Sequence, residues 1–262
     1  MRPLCALGLA VVLVLSPSLV AQQSPATPVA QAPQALGVIQ AALSALAGPT
    51  VAVPASILAS GTYTRTSDGT TESYPVQIKA LGLTNFRWDT GGPQGTATVI
   101  VAGLSGWFQG PSSSRALALG ETFGRGIEVF PLLLLSKWLN TAGVGMTWVG
   151  PDTVSGQSVN HVTILPPATA SAGEPQQLAQ CELYVNPQTG VPVRIRVYQH
   201  PIDRRASVPL DLDFTDYQAV SGLLFPMAIS FSIAGQPMSE IHLQSIALNA
   251  SVSASDFTWS GQ

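Results

Sequence analysis

From Ala59 onward apolar and polar residues alternate with a period of two, the spacing that sends successive side chains to opposite faces of a β-strand. Val76, Ile78 and Ala80 alternate with Gln77 and Lys79, and Phe86 and Trp88 with Asn85, Arg87 and Asp89. The pattern returns in Val191, Val193, Ile195 and Val197, in Leu210, Leu212 and Phe214, and in Phe225, Met227, Ile229, Phe231 and Ile233. Turn-forming stretches separate the runs, among them Ser67-Asp68-Gly69, Gly91-Gly92-Pro93, Val154-Ser155-Gly156-Gln157, Asn186-Pro187-Gln188-Thr189-Gly190 and Ala234-Gly235-Gln236. This spacing predicts about ten or eleven strands in a mainly β protein. One apolar face per strand and short connections predict an antiparallel sheet, strongly curved or partly closed, and argue against a parallel α/β fold.

Two stretches break the period. Leu36, Ile39, Leu43 and Leu46 fall three and four residues apart between Pro33 and Gly48, which predicts one helix. No charged residue occurs from Ala21 to Thr64. A helix packed on a sheet is favoured over one lying on a membrane surface, which usually carries basic residues. The second stretch is Ile127 to Leu139, where Pro131 suits a first helical turn and Leu132 to Leu135 with Trp138 make a short, very apolar helix. Loops rich in small and polar residues are expected at Pro166–Gln177 and at His200–Pro209, where Asp203, Arg204 and Arg205 are expected to be solvated.

The chain opens with Arg2, an apolar run from Leu4 to Leu15, Pro17, and small residues ending at Ala21. That is the order of a cleavable secretory signal, and the run is short for the roughly 30 Å core of a bilayer; a permanent anchor is the alternative. Cys5 precedes the apolar run, so it is not placed as a lipidation site and leaves with the signal. The expected organisation is a signal over 1–21, a flexible linker over 22–34 and one domain over 35–262, with periplasmic localisation and secretion as the alternative. No later segment is long enough to cross a bilayer as a helix. Losing Arg2 changes eleven basic against fourteen acidic residues into ten against fourteen, a net charge of −4. That leaves no electrostatic footprint for nucleic acid. Cys181 is then the one remaining cysteine, so no intramolecular disulfide is expected.

Candidate chemistry is sparse. His161, His200 and His242 have no second ligand at metal-binding spacing. Gly103-Leu104-Ser105-Gly106-Trp107 lacks the second glycine of a nucleophile elbow and reads as a hairpin turn. Asp211 and Asp213 share one strand face and are expected to point to water. Cys181 is in phase with Leu183 and Val185, as a buried thiol would be. Neither a phosphate-binding loop nor a dinucleotide fingerprint occurs. The expectation is a non-enzymatic protein with no cofactor and no metal. What remains is apolar: Phe86, Trp88, Trp107, Phe108, Trp138, Trp148 and the Leu132–Leu135 run. A curved sheet encloses either packed side chains or a ligand cavity, and the period is the same for both.

Val76-Gln-Ile-Lys-Ala-Leu-Gly-Leu-Thr-Asn-Phe-Arg-Trp-Asp89 followed by Thr98-Val-Ile-Val-Ala-Gly-Leu-Ser-Gly-Trp-Phe-Gln109 resembles the periplasmic lipoprotein carrier family LolA and its relatives. Phe130-Pro-Leu-Leu-Leu-Leu-Ser-Lys-Trp138 resembles the family's short central helix, and Asp213-Phe-Thr-Asp-Tyr-Gln-Ala-Val-Ser-Gly-Leu-Leu-Phe-Pro226 a segment of its longer relatives. The resemblance runs loosely from Gln34 to Trp259. It implies a half-open β-barrel holding acyl chains, with the Leu36–Leu46 helix as a plug enclosed on all sides and the central helix covering the mouth. Together, apolar phase and resemblance give Phe86, Trp88, Trp107, Leu134 and Trp138 as the candidate cavity wall. The implied function is binding or carrying an apolar ligand, a lipid or lipoprotein acyl chain, as a monomer with envelope proteins as possible partners. The alternative is a structural or interaction protein of the envelope with a filled barrel. One departure is local: the family follows its Lys with an Arg and a Pro, and that Arg latches the lid. Here Lys79 is followed by Ala80 and Leu81, leaving Arg65 and Arg87 as substitutes to consider.

Overall fold

The computed structural model describes residues 32–49, 52–67, 69–117, 122, 127–167, 180–199 and 208–259. The segment expected to be an export signal, the expected linker through residue 31 and most of the two loops expected at 166–177 and 200–209 lie outside these residues.

Thirteen strands form one sheet among the described residues. They are β1 (Ser56–Ser67), β2 (Thr70–Leu81), β3 (Asn85–Thr90), β4 (Ala97–Ala102), β5 (Ser105–Gln109), β6 (Ser114–Ala116), β7 (Gly145–Val154), β8 (Gln157–Leu165), β9 (Cys181–Val185), β10 (Pro192–Gln199), β11 (Val208–Val220), β12 (Leu223–Ile233) and β13 (Gln236–Leu248). The order is β6-β5-β4-β3-β2-β1-β13-β12-β11-β10-β9-β8-β7, every neighbour antiparallel. The sheet does not close, because β6 and β7 remain its edges. The count exceeds the ten or so expected partly because β6, Ser-Arg-Ala, is exposed and carries no alternation to read.

The sheet curls tightly. Trp88 on β3 and Phe231 on β12 are four strand steps apart, roughly 19 Å on a flat sheet, yet their ring centroids stand 5.8 Å apart. Part of the bend is built at Gly61, where β1 slips register against β13. A Cβ there would sit 2.1 Å from the His242 carbonyl oxygen, so only glycine lets the two backbones approach so closely. A second slip, in β10 between Pro192 and Arg194, breaks the expected alternation. Val193 packs with Val154, Val159 and Tyr184 in a small cluster separate from the main core that holds Ile195 and Val197.

Helix α1 (Pro33–Ala47) and helix α2 (Pro131–Asn140) lie on the inner face, touching each other and β12, with α1 also against β7 and β8. Each begins with Pro in its first turn, where the missing N–H is no loss. Helix α2 is buried from Pro131 to Trp138, including Ser136 and Lys137. The Ser136 hydroxyl is satisfied by donating to the Leu132 carbonyl at 2.7 Å. Burial holds the Lys137 ammonium below its ordinary pKa, and Glu128 nearby opposes that shift. Helix α1 corrects one implication of the resemblance. It buries Ala35, Ile39, Ala42, Leu43, Leu46 and Ala47, but Gln34, Gly37, Gln40, Ala41 and Ser44 are exposed. It is a helix packed on a sheet, uncharged but not enclosed all round, because the sheet and α2 cover only one side.

Candidate functional site

Paired residues of adjacent antiparallel strands share a face, so the register traces the inner wall across the sheet. Burial along it falls in one direction on each strand. On β2 it runs from Ala80 and Ile78, fully buried, through Val76 to half-buried Tyr74 and Glu72. On β1 it runs from Ile57 and Ala59 to Tyr63 and then exposed Arg65. On β3 it runs from Phe86, at 0% exposure, to Trp88 and Thr90, both half-buried. Among the described residues, the helices fill one end of the inner face and leave the other uncovered.

At the uncovered end lies a cleft of about 580 Å³, bounded by Tyr63, Tyr74, Trp88, Val99 and Phe108, by the Gly91–Gly95 loop, and by Arg65 and Glu72. Its size is within the range of small-molecule sites, about 300–1,000 Å³. Gly91 shapes it by donating its N–H to the Pro75 carbonyl at 2.9 Å, an approach in which a Cβ would meet the Pro75 ring at 2.9 Å. Trp88 is held edge-on to Tyr63, centroids 6.0 Å apart, and its indole N–H donates to Thr90 Oγ1 at 2.6 Å. With its polar atom satisfied on the strand, the ring presents an apolar surface. At the mouth the Tyr74 hydroxyl donates to Glu72 Oε2 at 2.7 Å, and Arg65 Nη2 stands 3.6 Å from the same oxygen.

The five candidate wall residues divide three ways. Phe86, Leu134 and Trp138 are fully buried in the main core. Trp88 packs against that core and also borders the cleft. Trp107 faces the other way: it pairs with Ile100, which pairs with Arg87, and this is the outer face. Its neighbour Phe108 pairs with Val99 and takes the inner position. In an aromatic pair on one strand only one ring can face inward, and the sequence does not say which. Tyr63 and Tyr74, which border the cleft, were missed because their surroundings, Thr-Tyr-Thr and Ser-Tyr-Pro, carry no apolar run.

Arg65 and Arg87 do not latch α2. Arg65 pairs with Glu72 across β1 and β2. Arg87 Nη1 donates to the Asp256 carbonyl at 3.0 Å, and Lys79 Nζ reaches Asp256 Oδ1 at 2.5 Å. Both hold the 3-10 turn Ala254–Phe257 against the outer face. Lys79 is the first cause of the depressed Asp256 carboxyl, at about 2.

The outer face of β8 to β11 carries a polar network. Asp211 corrects the expectation of a solvated carboxylate: it is 3% exposed, takes a bidentate pair from Arg196 at 2.6 and 2.9 Å, and meets Arg194 Nη1 at 3.1 Å. Asp213 takes Arg194's other edge at 2.5 and 2.8 Å. Glu182 accepts from Tyr198 and, at 2.7 Å, from Tyr184. Burial pushes its carboxyl up, but these hydroxyls, with His161 and Arg196, leave it below the ordinary value. His161 stacks on Tyr184 at 4.3 Å, 3.1 Å from Glu182. A depression of about 700 Å³ opens beside Arg194 and Arg196, but both guanidinium groups are already engaged by carboxylates. Cys181 is buried, its thiol pushed up to about 12 chiefly by burial. Among the described residues no group of three or more His, Cys, Asp or Glu is placed to hold a metal ion, and no helix is long and apolar enough to cross a membrane.

No protein-family model matches the sequence, and no curated protein matches it as a relative. Solved structures match its architecture. A LolA superfamily protein from Nitrosomonas europaea superposes with a TM-score of 0.57 at 12% identity, over 86% of this chain and 97% of that one. The chain has a LolA-like fold. A Vibrio parahaemolyticus domain described as one of an outer membrane lipoprotein-sorting protein superposes with a TM-score of 0.58 at 11% identity, over 86% and 96%. At such identities the likeness is one of backbone. The LolA-like sheet here is half-open with two helices on its inner side, and its aromatic cleft is read from this chain's own residues.

Proposed function

We propose that this is an exported, non-catalytic protein of the bacterial envelope that binds an apolar ligand, a lipid or lipoprotein acyl chain, on the inner face of its half-barrel. The observation that carries this reading is the set of four half-buried aromatic rings, Tyr63, Tyr74, Trp88 and Phe108, around one open cleft on that face. An apolar wall left uncovered marks a binding surface. Each methylene buried there contributes about 0.8 kcal/mol before ordering costs. Trp88 is the wall residue the ligand touches first, and Phe86, Leu134 and Trp138 form the packed floor behind it. The apolar signal at the N-terminus and the single thiol left after its removal suit the periplasm.

The test is to purify the mature chain, incubate it with an envelope lipid extract and record native mass spectra. Adducts of lipid mass that disappear in W88A are expected. Ligand-free protein across every lipid class would remove the reading. That outcome would favour the second reading, a filled envelope barrel acting through protein partners, which the fully buried Phe86, Leu134 and Trp138 support.

A further inference from the structure

Among the described residues that line the cleft, one cation and one anion, Arg65 and Glu72, stand at its mouth, and these point to the head group of what it takes. We infer that the ligand is a zwitterionic phospholipid, its ammonium held by Glu72 and the neighbouring aromatic rings and its phosphate by Arg65; this rests on the lipid-binding reading above.

Arg65 and Glu72 are directly paired on β1 and β2, on the face that bears Tyr63 and Tyr74 one pair further in. Their contact is loose, 3.6 Å, with the side chains 53% and 43% exposed. An exposed pair of this kind contributes little to stability, so a ligand bearing both charges opens it readily and replaces each half. The guanidinium suits a phosphate, which it meets with two parallel N–H donors. Glu72 stays an acceptor for an ammonium, and aromatic faces attract cations through their negative π-clouds. Tyr63, Tyr74 and Trp88 supply those faces within the same cleft. The chains would then run inward along Trp88, Val99 and Phe108. A lipid with phosphate as its only charge would set that charge against Glu72 as well as Arg65. An uncharged acylglycerol would leave both groups unused.

A competition experiment tests this. The mature protein is incubated with an equimolar mixture of dioleoyl phosphatidylethanolamine, phosphatidylcholine, phosphatidylglycerol and dioleoylglycerol, repurified, and its adducts are counted by native mass spectrometry. Because the chains are identical, only the head group can discriminate. The zwitterionic lipids should exceed the other two by roughly ten-fold, a size set by cation–π and ion-pair contacts at a half-exposed site. E72Q should erase the preference over phosphatidylglycerol, and R65Q should weaken both zwitterionic lipids while sparing dioleoylglycerol. Both side chains are about half exposed at the rim, so the variants should fold; circular dichroism checks this. Equal uptake of all four lipids would overturn the head-group assignment and leave lipid binding standing. No uptake of any would overturn both. Glycerophosphoethanolamine, the same head without chains, should not displace bound lipid, and its displacing the lipid at equal concentration would also overturn the proposal.

Discussion

The two ends of the inner face are built from the same strands with the same alternation, yet they differ in what covers them. At one end α1 and α2 press on the sheet, and Phe86, Leu134 and Trp138 are completely buried. At the other, two steps along β3, Trp88 is only half covered, and Tyr63, Tyr74 and Phe108 share a cleft with it. Period-two patterning specifies the face of a strand but not what lies over it. Side chains under a helix contribute to stability; those beyond its reach are available to a ligand.

The largest effect should come at the covered end. Trp138→Ala removes a wholly buried ring and should cost about 3–5 kcal/mol in chemical denaturation. Trp138→Phe should cost far less, because the Trp138 indole N–H has no acceptor among the described residues and losing an unsatisfied buried donor offsets part of the lost packing. Trp88→Ala should lower stability by less than Trp138→Ala while removing lipid adducts from the native mass spectrum. If the two alanine variants shift the denaturation midpoint equally, the two ends are not distinct.

The next contrast is within the polar network. Asp211 is nearly inaccessible between two guanidinium groups, whereas the Asp213 side chain is 30% exposed. Asp211→Ala leaves the part-buried Arg196 guanidinium without its carboxylate and should cost about 3 kcal/mol. Asp213→Ala should cost about 1 kcal/mol, since water compensates it. Equal midpoints for the two variants would show that burial of the pair has no energetic consequence.

The sequence carried the frame of the molecule further than its site. The alternations of β2, β3, β11 and β12, the Pro-initiated helices and the buried Cys181 all follow from period, punctuation and phase. Three things did not. Register slips are not written in periodicity, so Val193, in phase with Ile195 and Val197 in the sequence, packs in a separate cluster. Neighbouring aromatics on one strand cannot be sorted by face without a partner strand, so Trp107 stood where Phe108 belongs. A carboxylate's burial depends on what the neighbouring strand sets against it: Asp211 is shielded by Arg194 and Arg196 of β10. The cleft was half legible. Trp88 was found by its apolar phase, but Tyr63 and Tyr74 sit in polar stretches and become wall residues only because the sheet curls.

The smallest effect concerns the outer face, where Arg87, one of the two arginines considered as a latch, joins Lys79 in holding the C-terminal turn. The Asp256 carboxyl lies at about 2, below its ordinary 3.8, first through the Lys79 ammonium and then through the Ser253 backbone N–H. A carboxyl depressed by folding adds stability that is complete above the unfolded value and is lost as pH falls through the folded one. The turn at Ala254–Phe257 should therefore loosen between roughly pH 4 and 2, with little change above that window. NMR titration of the Asp256 carboxyl reads the effect directly. In K79M the midpoint should rise toward 3.8 but not reach it, because the Ser253 N–H still donates to the carboxylate at 2.8 Å. A midpoint unchanged in K79M would mean that the capping turn alone holds the charge, and that Lys79 is no tether for the turn.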